Sequence, residues 1–158
     1  MTTAQAIMQP DVASITVRDT METAAQRMRQ LNVGALPICD GEGHPVGIVT
    51  DRDIVVKCIA AGANPRKTTA GEMAQGDDLL TVDTGTDIDA ALTLMEQHQI
   101  RRLPVTEAGK LVGIITEADL SRRLPESNVG EFVEAVCAQH LPAATPRARN
   151  SVTGDTPR

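Results

Sequence analysis

The chain has 158 residues, a net charge of -6, no Trp, no Tyr and one Phe, so aliphatic residues and Met must build its core. The acidic balance and the lack of aromatic side chains for base stacking argue against nucleic-acid binding. No apolar run approaches the roughly 20 residues that span a bilayer. The first five residues lack the basic start of a signal peptide, so we expect a cytoplasmic protein with no membrane partner.

The first half of the chain predicts a strand, a helix, a hairpin and a second helix. In chain order these elements are expected at residues 15–17, 20–31, 35–39 with 46–50, and 50–62. The hairpin is expected to be antiparallel because a short Gly-containing turn joins two β-branched runs. Gly62 is expected to end the second helix.

The second half predicts the same series of elements, followed by one more helix. These elements are expected at residues 80–82, 87–98, 103–106 with 112–116, 116–125 and 128–139. Asp87 or Thr86 can cap the helix at 87–98. The stripe from Val129 to Cys137 predicts an amphipathic last helix that packs either on the module or on a second subunit. The Pro- and Ala-rich sequence from Leu141 onward predicts a disordered tail.

The two halves are an internal duplication. Residues 45–54 recur as 111–120 at an offset of 66, and 36–38 recur as 103–105 at an offset of 67. Each copy has the order β-α-β-β-α, and the core of one copy alone is too small for a stable independent fold. We therefore predict an α+β fold of two packed repeats. The predicted segments are repeat 1 at 1–62, a linker at 63–71, repeat 2 at 72–125, a C-terminal helix at 126–140 and the tail at 141–158.

A Thr-x-x-Asp sequence stands at the start of the second helix in each copy, as Thr50 with Asp53 and Thr116 with Asp119. A helix start offers unpartnered N–H groups that attract phosphate, and a carboxylate suits the two hydroxyls of a ribose. The alternative is a capping box, in which the Thr and the acid satisfy the helix start themselves. Both roles can coexist in one protein.

Other residues complete two predicted nucleotide clefts. Adenine is expected between apolar residues of neighbouring strands, namely Val17 with Pro37, and Val82 with Pro104. Arg102 is expected to bind phosphate through a charge-assisted bond. Since Gly34 and Ala35 stand where the second copy has Arg101 and Arg102, we expect the first cleft to lack this cation and to bind a charged nucleotide less tightly.

These motifs resemble the CBS-domain family, whose paired repeats form a Bateman module. The resemblance rests on residues 35–38 with 47–53, and on 101–105 with 113–119, and it covers about residues 3–125. It implies two CBS repeats with pseudo-twofold symmetry, packed through their sheets. It also implies a homodimer and a regulatory ligand such as AMP, ATP or S-adenosylmethionine, with no cofactor required.

Several alternatives stay open at this point. A zinc site has little support, because the Cys and His residues lack the spacing of paired zinc ligands. The Cys and His residues of the chain are Cys39, Cys58, Cys137, His44, His98 and His140. Buried free thiols are the simpler interpretation, and redox sensing is an alternative. No catalytic motif is present, so we predict no enzyme. The runner-up function is a ligand-free, stress-induced dimer that acts through protein contacts, and any effector is expected to act in trans.

Overall fold

The structure, a computed structural model, describes residues 1–75, 78–123 and 125–137. The predicted tail at 141–158 and the end of the predicted last helix lie outside the described residues. Among the described residues, no helix combines the length and the apolar character that crossing a membrane requires.

The first half contains eight elements. They are α1 (Ala4–Ile7), β1 (Gln9–Pro10), β2 (Ile15–Thr16), α2 (Met21–Leu31), β3 (Ala35–Cys39), β4 (Pro45–Thr50), α3 (Asp51–Asp53) and a π-helix (Ile54–Ile59). The second half repeats this order without a counterpart of β1 and adds a last helix. It contains α4 (Ala70–Met73), β5 (Val82–Asp83), α5 (Ile88–His98), β6 (Arg102–Glu107), β7 (Lys110–Thr116), α6 (Glu117–Arg123) and α7 (Glu126–Cys137).

Two sheets carry the duplication, with the order β2-β3-β4 in the first and β1-β7-β6-β5 in the second. In each sheet a short strand runs parallel to the first strand of an antiparallel hairpin. Equivalent pairs stand in register, since Pro37 faces Ile48 and Pro104 faces Ile114. The predicted α+β fold of two tandem repeats and the two predicted hairpins are confirmed.

The two long helices, α2 and α5, each begin at a residue whose side chain caps the N-terminus. Thr20 Oγ1 accepts the Thr23 N–H at 3.3 Å, and Asp87 Oδ1 accepts the Asp89 N–H at 3.1 Å. Asp87, rather than Thr86, is therefore the cap of α5. The apolar stripe of each helix then faces the core of its own repeat.

The short helices α1 and α4 each pack on the core of the other repeat. Ala4 and Ile7 of α1 are buried in the second core, and β1 extends the second sheet. Ala70 of α4 is buried in the first core. The sequence analysis did not predict α1, β1 or α4, and the predicted boundaries of the two repeats stay a prediction.

The last helix α7 packs on the second repeat. Phe132 and Val136 are 0% and 1% exposed and join the second core, with Val133 packed against it. Val129 is half-buried, whereas Glu131 and Glu134 are exposed. Of the two alternatives, packing on the module is thus observed for the apolar stripe of α7.

Candidate functional site

A cleft with a volume of about 550 Å³ lies between the two repeats. The β1 and β2 region, the start of β3, the start of β6, the end of β7 and the first turns of α6 enclose it. Its lining residues are Gln9, Val12, Val33, Gly34, Ala35, Arg101, Arg102, Ile114, Thr116, Glu117, Ala118 and Ser121. The walls thus combine apolar side chains with two guanidinium groups.

The duplication explains why this cleft forms where it does. Gly34 and Ala35 of the first copy are equivalent to Arg101 and Arg102 of the second, and all four line the cleft. Our expectation placed these two pairs in separate clefts, and the structure brings them into one. The small residues of one copy therefore leave the room that the arginines of the other copy border.

The two arginines of the cleft differ in their partners. Arg101 contacts Cys137 Sγ at 3.5 Å through Nη2 and Glu117 Oε2 at 3.8 Å through Nε. Arg102 is half-buried, and among the described residues its guanidinium has no hydrogen-bond acceptor and no ion-pair partner. A half-buried guanidinium without an anionic partner makes the cleft attractive to an anion.

Thr116 lies directly across the hairpin from Arg102 and connects the cleft to Asp119. Asp119 is only 5% exposed. Its Oδ2 accepts the Thr116 hydroxyl at 2.7 Å and the Thr116 N–H at 3.0 Å. Its Oδ1 accepts Gln9 Nε2 at 2.8 Å and Arg122 Nη2 at 2.7 Å. The carboxylate thus has four donors, which fills the usual capacity of two oxygens.

The environment of Asp119 decides its protonation. Burial raises the pKa of the carboxyl, but the hydrogen bonds from Thr116, Gln9 and Arg122 outweigh burial and hold the pKa below its ordinary value. Asp119 is therefore a carboxylate at neutral pH. In that state it can accept hydrogen bonds from a ligand only by exchanging one of its present donors.

Asp53 has a looser environment than Asp119. Its Oδ2 accepts the Thr50 hydroxyl at 2.9 Å, while its Oδ1 pairs with Lys57 Nζ at 3.2 Å. Burial raises the pKa of Asp53, and the hydrogen bonds from Thr50 and Lys57 bring it below the ordinary value. Thr50 and Asp53 form a complete capping box, as the alternative reading of this motif predicts.

The start of α6 offers fewer free donors than the sequence suggests. The Glu117 N–H donates to the Arg101 carbonyl at 3.0 Å, and the Asp119 N–H donates to Thr116 Oγ1 at 3.3 Å. Because these groups are already partnered, Arg102 is a stronger anion-binding element here than the helix start.

The four residues expected to hold adenine are not in the lining of this cleft. Pro37 and Pro104 are buried in β3 and β6, and Val82 packs against the second core. Val17 packs against the first core, beside Gly71. Apolar residues that line the cleft instead are Val12, Val33, Ala35 and Ile114. Of these four, only Ala35 carried a signal in the sequence, because it is the equivalent of Arg102 in the duplication.

A second, shallower hollow is formed by Asp51, Arg52, Val55 and Val56. These residues stand at an offset of 66 from Glu117, Ala118, Ser121 and Arg122, three of which line the main cleft. The duplication therefore produces two related depressions, of which the one beside Arg102 is larger.

Comparison with known proteins decides the family. The CBS domain model matches residues 4–59 and 72–126. The chain belongs to the CBS-domain family. It is also similar to Hypoxic response protein 1 of Mycobacterium tuberculosis, with 47% identity over 138 residues, 87% of this chain and 96% of that protein. Residues 34–39, 50–55 and 96–105 suggest the same resemblance from the sequence alone, and the match over 138 residues confirms the similarity to this mycobacterial protein.

Solved structures of CBS proteins share the fold. A crystal structure of Hypoxic Response Protein I with two coordinated zinc ions has a TM-score of 0.72 at 46% identity, covering 78% of this chain and 100% of that chain. A crystal structure of CBSX2 in complex with AMP has a TM-score of 0.65 at 25% identity, covering 77% and 95% respectively. CBS domain pairs are regulatory modules, and one relative with this fold, CBSX2, binds AMP.

The described part of this CBS pair does not fit a zinc site. Within residues 1–75, 78–123 and 125–137, no three His, Cys, Asp or Glu side chains come together in a way that could hold a metal ion. His140, one of the residues considered above, lies outside the described residues. Cys39, Cys58 and Cys137 are free thiols, and burial raises the pKa of Cys39 despite a hydrogen bond from Ser14. Burial of Cys39 and Cys58 confirms the simpler interpretation of these two residues.

Proposed function

We propose that the protein is a non-enzymatic, cytoplasmic regulatory module that binds an adenosine-type nucleotide in the cleft between its two CBS repeats. The observation that carries the proposal is Arg102, a half-buried cation without an acidic partner among the described residues, on the wall of a cleft of about 550 Å³. The AMP complex of a CBS relative supports the ligand class. AMP, ATP and S-adenosylmethionine are the candidates.

The chemistry of the walls suggests how the ligand lies. Arg102 binds the phosphate, with Thr116 on the neighbouring strand. The base packs against the apolar side chains of Val33 and Ile114, which line the same cleft. Glu117, which lines the cleft, and Asp119, bonded to Thr116, are the acidic acceptors on the side where the ribose would lie. Val17, Pro37, Val82 and Pro104 stay predicted contacts of the base.

The first repeat is the weaker candidate for a nucleotide. Ala35 stands where the second repeat has Arg102, so the first repeat offers no equivalent cation for a phosphate. The capping boxes do not distinguish the two repeats, since Thr50 bonds Asp53 as Thr116 bonds Asp119. We therefore propose that one nucleotide binds per chain in the Arg102 cleft before any binds beside Thr50.

Replacing Arg102 by Ala is expected to weaken nucleotide binding by about tenfold to a hundredfold, because a charge-assisted bond contributes about 1.5–3 kcal/mol. Isothermal titration of AMP, ADP, ATP and S-adenosylmethionine measures the affinity. Thermal unfolding gives an independent measure, since a ligand at 100 times its dissociation constant adds about 2.7 kcal/mol.

Arg29→Ala is the matched control, because it removes the same charge from an exposed position on α2. It is expected to leave nucleotide affinity unchanged. If none of the four ligands binds the wild-type protein at millimolar concentration, nucleotide sensing is refuted. Equal losses in Arg102→Ala and Arg29→Ala would show a general charge effect and would refute the assignment of the site.

A homodimer that acts on a protein partner in trans is the second candidate function. Its support is an apolar face on the π-helix, where Val55, Val56 and Ile59 are 57%, 48% and 57% exposed. Contiguous exposed apolar groups are typical of interaction surfaces, and a self-complementary face suits a twofold dimer. Such a dimer could act with its cleft empty or with a nucleotide bound.

Replacing Ile59 by Asp is expected to convert the dimer into a monomer, because two carboxylates would then enter an apolar interface. Analytical ultracentrifugation from about 1 to about 100 µM, a range that covers micromolar dissociation constants, measures the mass. Leu31→Asp, a change of the same kind at a residue that is 48% exposed on α2, is expected to keep the dimer. A wild-type protein that stays monomeric throughout would rule out this candidate.

A further inference from the structure

The N-terminal segment, defined here as residues 2–10, lies against the second repeat and reaches the cleft. The Ala4 N–H donates to the Thr86 carbonyl at 2.7 Å, and the Ile88 N–H donates to the Thr2 carbonyl at 2.8 Å. At the other end, β1 pairs with β7. Gly113 permits this pairing, because a Cβ atom there would lie 2.8 Å from the Gln9 carbonyl oxygen. Gln9 is therefore held at a fixed place beside the cleft.

Two acidic side chains stand at this cleft. Glu117 lines it and faces Arg101 Nε at 3.8 Å, whereas Asp119 lies beneath it, bonded to the lining residues Gln9 and Thr116. Gln9 lines the cleft, and its Nε2 lies 2.8 Å from Asp119 Oδ1. The second donor to this oxygen, Arg122, is anchored on the same helix as Asp119. The donors to Oδ2 come from Thr116, which also caps the helix. Of these donors, the Gln9 amide is the one that a ligand can replace without undoing a helix end or an ion pair.

We propose that Gln9 is a specificity-determining residue: its amide occupies the Asp119 oxygen that the 2′ and 3′ hydroxyls of a ribose would need. This inference rests on the proposed nucleotide function. In the wild-type protein the cleft then selects ligands by their phosphate and base, and it discriminates little between a ribose and a sugar without the diol. The diol of a ligand can donate to this oxygen of Asp119 only after the ligand displaces the Gln9 amide.

The first repeat contains a natural comparison for Gln9. At an offset of 66, Met8 and Gln9 correspond to Ala74 and Gln75. Ala74 lies against Gly47 as Met8 lies against Gly113, so the two segments approach their strands in the same way. The remaining oxygen of Asp53, however, pairs with Lys57. Gln75 is exposed, and no hydrogen bond joins it to Asp53 among the described residues.

The test compares AMP with 2′,3′-dideoxy-AMP, which keeps the phosphate and the base but lacks both hydroxyls. Isothermal titration is run on the wild-type protein, Gln9→Ala and Gln75→Ala. The wild type is expected to bind the two nucleotides within about twofold of each other. Gln9→Ala is expected to bind AMP about tenfold tighter, as one added hydrogen bond would give, and to leave the affinity for dideoxy-AMP unchanged. Gln75→Ala is expected to match the wild type.

The outcomes separate this inference from the function on which it rests. Binding of both nucleotides with the same ratio in wild type and Gln9→Ala would overturn the role of Gln9 and leave the nucleotide function standing. Weaker AMP binding by Gln9→Ala would show Gln9 to be a direct ligand contact and would also overturn it. No binding by any of the three proteins would overturn the nucleotide function and this inference together. Because the Gln9 side chain is exposed, the variant is expected to fold, which its unfolding curve without ligand verifies.

Discussion

Replacing Phe132 by Ala is expected to lower the free energy of unfolding by about 3–5 kcal/mol, the usual cost of such a truncation in a packed core. Phe132 is fully buried and is the largest side chain of the second core. It comes from α7, which lies outside the β-α-β-β-α repeat. The aliphatic residues around it, among them Met95 and Leu103, cannot fill the space that a benzyl group leaves.

Urea unfolding followed by circular dichroism measures this loss, and thermal unfolding should show a fall in Tm of about 6–20 °C. Glu131→Ala is the matched control, because it changes the neighbouring, exposed residue on the same helix. Its effect is expected to stay within about 0.5 kcal/mol. A loss below about 1 kcal/mol for Phe132→Ala would contradict the packing of α7 on the second repeat.

The sequence predicted the long elements of this fold because each of them carries its own local signal. The helix α5 shows an apolar stripe at helical spacing and a cap at Asp87, and the structure places it at Ile88–His98. The hairpin of β6 and β7 is marked by β-branched residues on both sides of a Gly-containing turn. Duplication doubled the evidence, because a pattern that occurs twice in the same order is easily recognised.

The short elements that join the two repeats were not predictable in this way. The helices α1 and α4 have four residues each, which is too few for a period to show. They are stabilised by the core of the other repeat, through buried Ala4 and Ala70. Only tertiary packing decides whether such segments are helical. The prediction of one continuous helix at 50–62 also missed that the segment continues from α3 as a π-helix at Ile54–Ile59.

The candidate site was partly predictable. The Thr-x-x-Asp sequences and Arg102 stood out because their side chains have a specific chemistry at a helix or strand start. The contribution of Gln9 could not be read from the sequence, since it comes from a segment 110 residues away from Asp119 along the chain. A local motif shows which group can bind a ligand. It does not show which distant side chain already occupies that group.

The duplication produced two sites that have since become different. Arg102 faces Thr116 in the second repeat, whereas Ala35 faces Thr50 in the first. The second carboxylate is buried under Gln9 and Arg122, whereas the first pairs with an exposed lysine. Asymmetry of this kind supports the proposal of one nucleotide-binding cleft, to whose wall the first repeat contributes Gly34 and Ala35.

Asp119→Asn is expected to lower the free energy of unfolding at pH 7 by about 2–3 kcal/mol. An amide nitrogen cannot accept a hydrogen bond, so at least two of the four present donors lose their acceptor. Asp89→Asn, at an exposed position on α5, is the control and is expected to change stability by less than about 0.5 kcal/mol.

The pH dependence of this loss tests its cause. The hydrogen bonds hold the pKa of Asp119 below its ordinary value in the folded protein, so its stabilising effect is fully present above the unfolded pKa of about 3.9. That effect is lost as the pH falls through the lower pKa of the folded state. The stability difference between wild type and Asp119→Asn should therefore be constant from pH 7 to 5 and should shrink below about pH 4. Urea unfolding at pH 7, 5, 4 and 3 measures it, and a difference that does not change over this range would show that packing, rather than the charge of the carboxylate, stabilises this site.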